Sequence, residues 1–190
     1  MLTPTELDGV ISFHGHFCPG LALGIRAGEW AICEFGRAAD EEIVAVVECD
    51  MCAVDAIQYL VGCTFGKGNF IFFDYGKRAF SFFRRCDGKN ARLMMYGDLL
   101  SDLRVNENAL ATDDIEGREQ IRHRMIDRIM QADFNAIFSI SPAQVAMPEK
   151  ASIHKSIRCD ACGELTMATR ILCDSEYTGG RNLCIPCRGK

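Results

Sequence analysis

The 190-residue chain has one tryptophan, five prolines and no extended apolar run. Apolar stretches such as Ile43–Val47 are far shorter than the roughly 20 residues a bilayer-spanning helix needs. The opening MLTPTELDGVIS lacks a basic segment followed by an apolar one, so no secretory signal is read there and a cytoplasmic location is expected. Basic residues are in deficit, with 21 Lys and Arg against 26 Asp and Glu. The net charge of −5 disfavours a general nucleic-acid binder. Seven basic and four acidic residues from Lys150 onward leave +3 there and −8 before it. Four thiolates and one Zn²⁺ would lower that tail to about +1, too slight a charge for a DNA-binding finger. There is no internal repeat or low-complexity tract, and 48% hydrophobic with 25% charged residues is an ordinary globular composition. The length suits one good-sized core with a small appendage, or two small domains.

What the chain does have is cysteine, eleven in all. An odd count in a reducing compartment fits a disulfide framework poorly. Metal binding, thiol chemistry and plain burial then compete for these residues, and isolated ones such as Cys33 and Cys86 read as small buried hydrophobes.

The strongest spacing is at the C-terminal end. Cys159-Asp-Ala-Cys162 and Cys184-Ile-Pro-Cys187 are two knuckles separated by 21 residues. Each knuckle presents two thiolates from one tight turn, and together they complete the tetrahedron zinc prefers. Gly163 follows the first pair, where a left-handed residue is often needed. The intervening MATRIL and EYTGGRNL read as a hairpin turning at Gly179-Gly180. It is too small for its own core, so metal affinity supplies its folding energy. Cys173 lies outside both pairs. A filled tetrahedron leaves no open position, which makes this zinc structural.

Thr3-Pro4-Thr5-Glu6 carries a helix cap, a proline at the first position and a capping-box acid, predicting a helix to about Phe13. Pro19 opens a second helix with Leu21, Ile25, Ile32 and Phe35 as its apolar stripe, and Gly24 and Gly28 allow close packing. IVAVVE at 43–48 reads as a buried strand and 52–61 as a helix. FIFFDY, AFSFFRR and ARLMMY are strands punctuated by turns, predicting an antiparallel meander. Asp113-Asp114 opens a helix over about 113–132, and a last strand lies near 136–141. The fold class is α+β: an antiparallel sheet core with flanking helices over 1–150, then a small treble-clef or ribbon-like zinc finger over 151–190.

A second constellation lies between the first two helices. His14, His16 and Cys18 alternate, and in an extended segment residues two apart project to one side. Cys18 stands at a helix N-terminus, which favours its thiolate. Cys49-Asp50-Met51-Cys52 occupies a strand-to-helix junction. It reads either as a redox dithiol or as Cys52 alone facing the site with Cys49 packed in the strand. The second is preferred, because a meander does not supply the βαβ setting of thioredoxin-type dithiols. The loop Gly62-Cys63-Thr64-Phe65-Gly66-Lys67-Gly68-Asn69 fails as a P-loop, since the glycine spacing is short and no Ser or Thr follows Lys67. It is either a plain turn or a seat for an anionic group.

The run Phe13-His14-Gly15-His16-Phe17-Cys18-Pro19-Gly20-Leu21-Ala22-Leu23-Gly24 resembles the FmdE family of formylmethanofuran dehydrogenase proteins. So do Cys52-x-x-Asp55-Ala56-Ile57-Gln58, the loop 62–69, Asp74-Tyr75-Gly76-Lys77 and the terminal Cys-x-x-Cys-Gly-Glu. The resemblance covers nearly the whole chain. It implies an α+β core, often a homodimer, with an auxiliary treble-clef-like zinc finger closed here by only Arg188, Gly189 and Lys190. The parent complex is a tungsten or molybdenum oxidoreductase of methanogenesis that fixes carbon dioxide onto methanofuran. This chain lacks the iron–sulfur cysteine runs and pterin-binding bulk of that chemistry, so it reads as an accessory component. On this reading His16, Cys18 and Cys52 form a cleft site with a second metal ion, lined by His14, Asp50, Asp55, Cys63 and Lys67. Cys18 would be ligand or nucleophile, His16 ligand or base, and Lys67 the anion partner. The alternatives are a non-catalytic finger that docks a larger redox enzyme, and a stand-alone thiol redox protein using Cys49 and Cys52.

Overall fold

The computed structural model describes residues 2–97, 99–109, 114–173 and 175–188. The chain forms two compact units, one ending at Lys150 and the other beginning at Ala151. Among the described residues no helix is long and apolar enough to cross a membrane.

In the first unit, α1 (Pro4–His14) starts on a complete capping box between Thr3 and Glu6 and stops at Gly15, whose φ of 93° ends the helix in a left-handed turn. Helix α2 (Pro19–Phe35) is capped by Cys18. Strand β1 (Ile43–Val47) is buried along its whole length, and α3 (Ala53–Val61) follows it. Then come β2 (Phe70–Phe72), β3 (Ala79–Arg84) and β4 (Asn90–Met95). Helix α4 (Ser101–Ala109), which no periodicity in the sequence announced, precedes α5 (Ile115–Gln131). A short α6 (Phe134–Ile137) leads into β5 (Phe138–Ser141). Asp114 caps α5 by accepting from the Gly117 N–H, whereas Asp113 lies outside the described residues.

The five strands form one sheet ordered β2-β1-β3-β4-β5. The β3–β4 hairpin and the β4–β5 pair are antiparallel, as expected. The first step of the anticipated meander is not: β1 sits between β2 and β3 and runs parallel to β2, so the sheet is mixed. The cause is the composition of β1. Ile-Val-Ala-Val-Val is apolar on both faces, so it needs a neighbour on each edge and cover above and below. Residues Phe73 to Lys77 carry the chain across its end, where Phe73 N–H donates to Val47 O and Lys77 N–H to Glu48 O. The sequence β1-α3-β2 is therefore a parallel βαβ unit, with Cys49-x-x-Cys52 at its strand-to-helix junction.

Alternate residues of the strands, among them Ala45, Val47, Phe80, Phe82 and Leu93, pack under α2 and α5. On the other face Glu48 and Arg92 form a buried two-point ion pair at 2.6 and 2.8 Å. Helices α2 and α3 touch almost backbone to backbone at Gly24, where a Cβ would fall 2.3 Å from the Ala53 carbonyl oxygen.

In the second unit, β6 (Ser156–Arg158) and β7 (Leu165–Met167) form a hairpin around the first knuckle, and Gly163 there has the expected positive φ of 76°. Strand β8 (Ile171–Leu172) pairs with β9 (Leu183–Cys184). Between them stand the short helix α7 (Ser175–Thr178) and the left-handed pair Gly179-Gly180. The second knuckle is a 3₁₀ turn over Ile185–Cys187, and Gly189-Lys190 lie outside the described residues.

Candidate metal centres

In the C-terminal unit, the sulfurs of Cys159, Cys162, Cys184 and Cys187 all lie within 4.8 Å of one another. Cys162 and Cys184 Sγ are 3.9 Å apart. Four thiolates on a tetrahedral ion at about 2.3 Å stand roughly 3.8 Å apart, so the donor set fits zinc. Cys184 N–H donates to Cys159 Sγ at 3.4 Å. That bond, with the amides of Cys162 and Ala161, brings the Cys159 thiol down to about 6. The Cys187 thiol is pushed up to about 12, first by its hydrogen bond with Cys184 and then by burial. Four crowded sulfurs cannot all ionise without a cation among them, and a dication removes that conflict. Cys173 is exposed, with its thiol on the Gly180 carbonyl at 3.5 Å, and takes no part.

The core cluster consists of His14, Cys18 and Cys52, whose donor atoms also lie within 4.8 Å of one another. Three helix ends build it. His14 is the last residue of α1, Cys18 caps α2 by accepting from Leu21 N–H at 3.3 Å, and Cys52 is the residue before α3. His14 Nδ1 lies 2.6 Å from Asp55 Oδ2 and its Nε2 lies 4.0 Å from Cys18 Sγ. A carboxylate accepting at Nδ1 requires the proton there, so the neutral imidazole carries its lone pair on Nε2, within 4.8 Å of both sulfurs. Burial raises the Cys52 thiol, and the adjacent Cys18 sulfur raises it further. Two thiols, one oriented imidazole and a carboxylate behind it are the donor set of a three-ligand transition-metal site.

The grouping arises differently from the extended-segment geometry expected of 14–18. The helix persists to His14, and the left-handed turn at Gly15 swings the chain back so that Cys18 meets His14 instead. His16 is exposed outside the three-donor group, its ring centroid 4.6 Å from that of His14 and tilted 36° to it. A cleft of about 250 Å³ adjoins the cluster, lined by His14, Cys52, Asp50 and Asp55 and by Phe70 and Phe72. Cys49 also borders it but is 8% exposed, and burial pushes its thiol up, which opposes a nucleophilic dithiol despite the βαβ setting. Cys63 lies in the core, its thiol donating to Ile43 O at 3.4 Å and pushed up to about 12 by burial. Lys67 lines a different cavity.

Gly20 belongs to the site although its residue type carries no chemistry that a sequence motif would mark. A Cβ there would meet Cys52 Cβ at 3.1 Å and the sulfurs of Cys52 and Cys18 at 3.6 and 3.8 Å, so its absence lets the two cysteines approach. The available signal was a glycine in the first turn of a helix, costly by about 1 kcal/mol against alanine.

The chain is similar to known proteins over most of its length. A curated relative from Archaeoglobus fulgidus, described as a probable S-adenosyl-L-methionine-binding protein, is 31% identical over 93% of this chain. The chain spans about half the length of that relative. A crystal structure of a tungsten formylmethanofuran dehydrogenase FmdE-like protein from Syntrophus aciditrophicus shares the fold, with a TM-score of 0.63 and 21% identity. That match covers 97% of this chain and 91% of the other. Residues 13–139, which hold the whole core cluster, match the family described as FmdE, Molybdenum formylmethanofuran dehydrogenase operon, and the chain belongs to that family.

Proposed function

We propose that this chain is a metal-binding accessory protein of a tungsten or molybdenum formylmethanofuran dehydrogenase-type enzyme. It carries a structural zinc in the finger and a second metal ion in the core, and works as a homodimer in the cytoplasm. The observation that carries this reading is the convergence of His14, Cys18 and Cys52, with Asp55 fixing the imidazole. A divalent ion held there would supply a Lewis acid with one ligand position left for a small molecule. The chain's own residues do the rest. Asp55 holds the proton on His14 Nδ1, Gly20 sets the spacing of the two sulfurs, and Phe70 and Phe72 give the adjoining cleft apolar walls. Asp50 places a carboxylate at the cleft wall.

The finger supports docking to a larger enzyme, because Leu165, Met167 and Ile185 are exposed on so small a unit. Metal content tests the proposal. Two ions per chain are expected, falling to one in Cys18→Ser with unchanged circular dichroism. One ion per chain, lost only when the terminal cysteines are changed, would leave a docking module and refute the core centre.

A further inference from the structure

The loop 62–69 belongs to neither metal cluster. It closes a second cavity of about 460 Å³ walled by three aromatic rings, Phe13, Tyr59 and Phe65, with Gly66 and Lys67 beside them. The first two rings are set by packing. Gly9 leaves the space that Tyr59 fills, since a Cβ there would fall 2.1 Å from the Tyr59 hydroxyl, and Phe13, four residues on, stands 5.8 Å from the Tyr59 ring. The loop is tied down as well. Phe65 N–H donates to Gln58, Thr64 N–H to Asn69, and the buried Asn69 amide donates to the carbonyls of Asp40 and Ile43.

Yet these rings are left in water: Phe65 is 77% exposed, Phe13 56% and Tyr59 42%. Gly66 is equally unexplained by the fold. Its φ is ordinary and a Cβ would meet none of the described residues within 4 Å, so neither strain nor packing requires glycine there. What the missing side chain preserves is open space at the cavity. Among the described residues Lys67 makes one long hydrogen bond, 3.5 Å to Ala38 O. Glu42, a carboxylate that feels the Lys67 charge, is engaged by the N–H groups of Ala39 and Asp40. The ammonium therefore keeps donors for another acceptor.

We infer that this cavity binds a planar heteroaromatic ligand bearing an anionic group, of mononucleotide size. The exposed rings offer stacking faces, Lys67 offers the counter-charge, and the volume lies within the usual range for small-molecule sites. Helices α1 and α3 serve both places. Phe13 precedes His14, and Tyr59 lies one turn beyond Asp55, so the ligand would sit beside the core centre without depending on its metal.

Calorimetric titration with AMP and FMN, against adenosine and riboflavin, tests this. Either anion should saturate with a dissociation constant at or below about 1 mM. Phe65→Ala should weaken it about tenfold. Lys67→Met and the uncharged counterparts should each lose about fivefold, and Gly66→Val, which the backbone tolerates, should abolish binding. Cys18→Ser, which loses the core ion, should leave the affinity for either anion unchanged. Saturation by neither probe up to about 5 mM, or affinity indifferent to Phe65→Ala and Gly66→Val, would overturn the inference. So would loss of binding in Cys18→Ser, which would put the anion on the core metal. A change in oligomeric mass in Phe65→Ala without ligand binding would make the rings a protein interface and equally overturn it.

Discussion

Asp55 shows what one side chain contributes without being a ligand. It fixes the tautomer of His14 through a 2.6 Å contact, and removing such a partner from a metal-bound histidine costs about 10- to 100-fold in affinity. Asp55→Asn should therefore weaken the core ion by that factor while leaving the finger ion untouched, as read by competition with a chromophoric chelator. The buried pair Glu48–Arg92 is the other residue-scale commitment. Arg92→Met strands a carboxylate in the core and should cost about 3–5 kcal/mol in denaturant unfolding, whereas Glu48→Gln with Arg92→Met together should cost much less. Of these residues, Asp55 was visible in the sequence only as a lining group, because nothing in a one-dimensional string sets Nδ1 of residue 14 against a carboxylate 41 positions later. His14 and His16 share the legible alternation with Cys18, whereas the left-handed turn at Gly15 that brings His14 and not His16 to the cysteine is not legible.

At the scale of elements, glycine decides how close α2 comes to α3. Gly24 faces the Ala53 backbone, and an added Cβ must push the helices apart, so Gly24→Ala should cost about 2 kcal/mol or more despite the gain in helix propensity. The same shift would separate Cys18 from Cys52 and weaken the core ion. Gly66→Ala, with an ordinary φ and open space, should leave thermal stability unchanged within about 0.5 kcal/mol. The role of Gly24 and the helix starts at Pro4 and Pro19 were legible, because caps, prolines and small-residue stripes act locally. The place of β1 in the sheet was not. Strand order depends on which strand most needs two neighbours, and the unbroken burial of Ile43–Val47 answers that only once all five strands are compared. The βαβ unit then follows, and with it a setting for Cys49 and Cys52 that the string concealed.

At the scale of the molecule, the two units differ in what holds them. The first has a sheet with helices packed over a large apolar core, whereas the second gathers little more than Cys159, Leu183, Cys184, Cys187 and Ile171. Stripping metal with a strong thiol-compatible chelator should abolish amide protection in β6 to β9 while the protection of β1, β3 and β4 persists, a contrast that hydrogen exchange reads directly. The finger was the most legible feature of the sequence because its ligands come as two short local pairs. The core cluster was only half legible, since three helix ends separated by up to 38 residues must be brought together first.

The most direct test of the account is anomalous diffraction from crystals grown with the divalent metal the protein carries on purification. Two peaks per chain are predicted, one among the four finger sulfurs and one bounded by His14 Nε2 and the sulfurs of Cys18 and Cys52. A single peak at the finger, with the core cluster well ordered and its thiols bare, would contradict it.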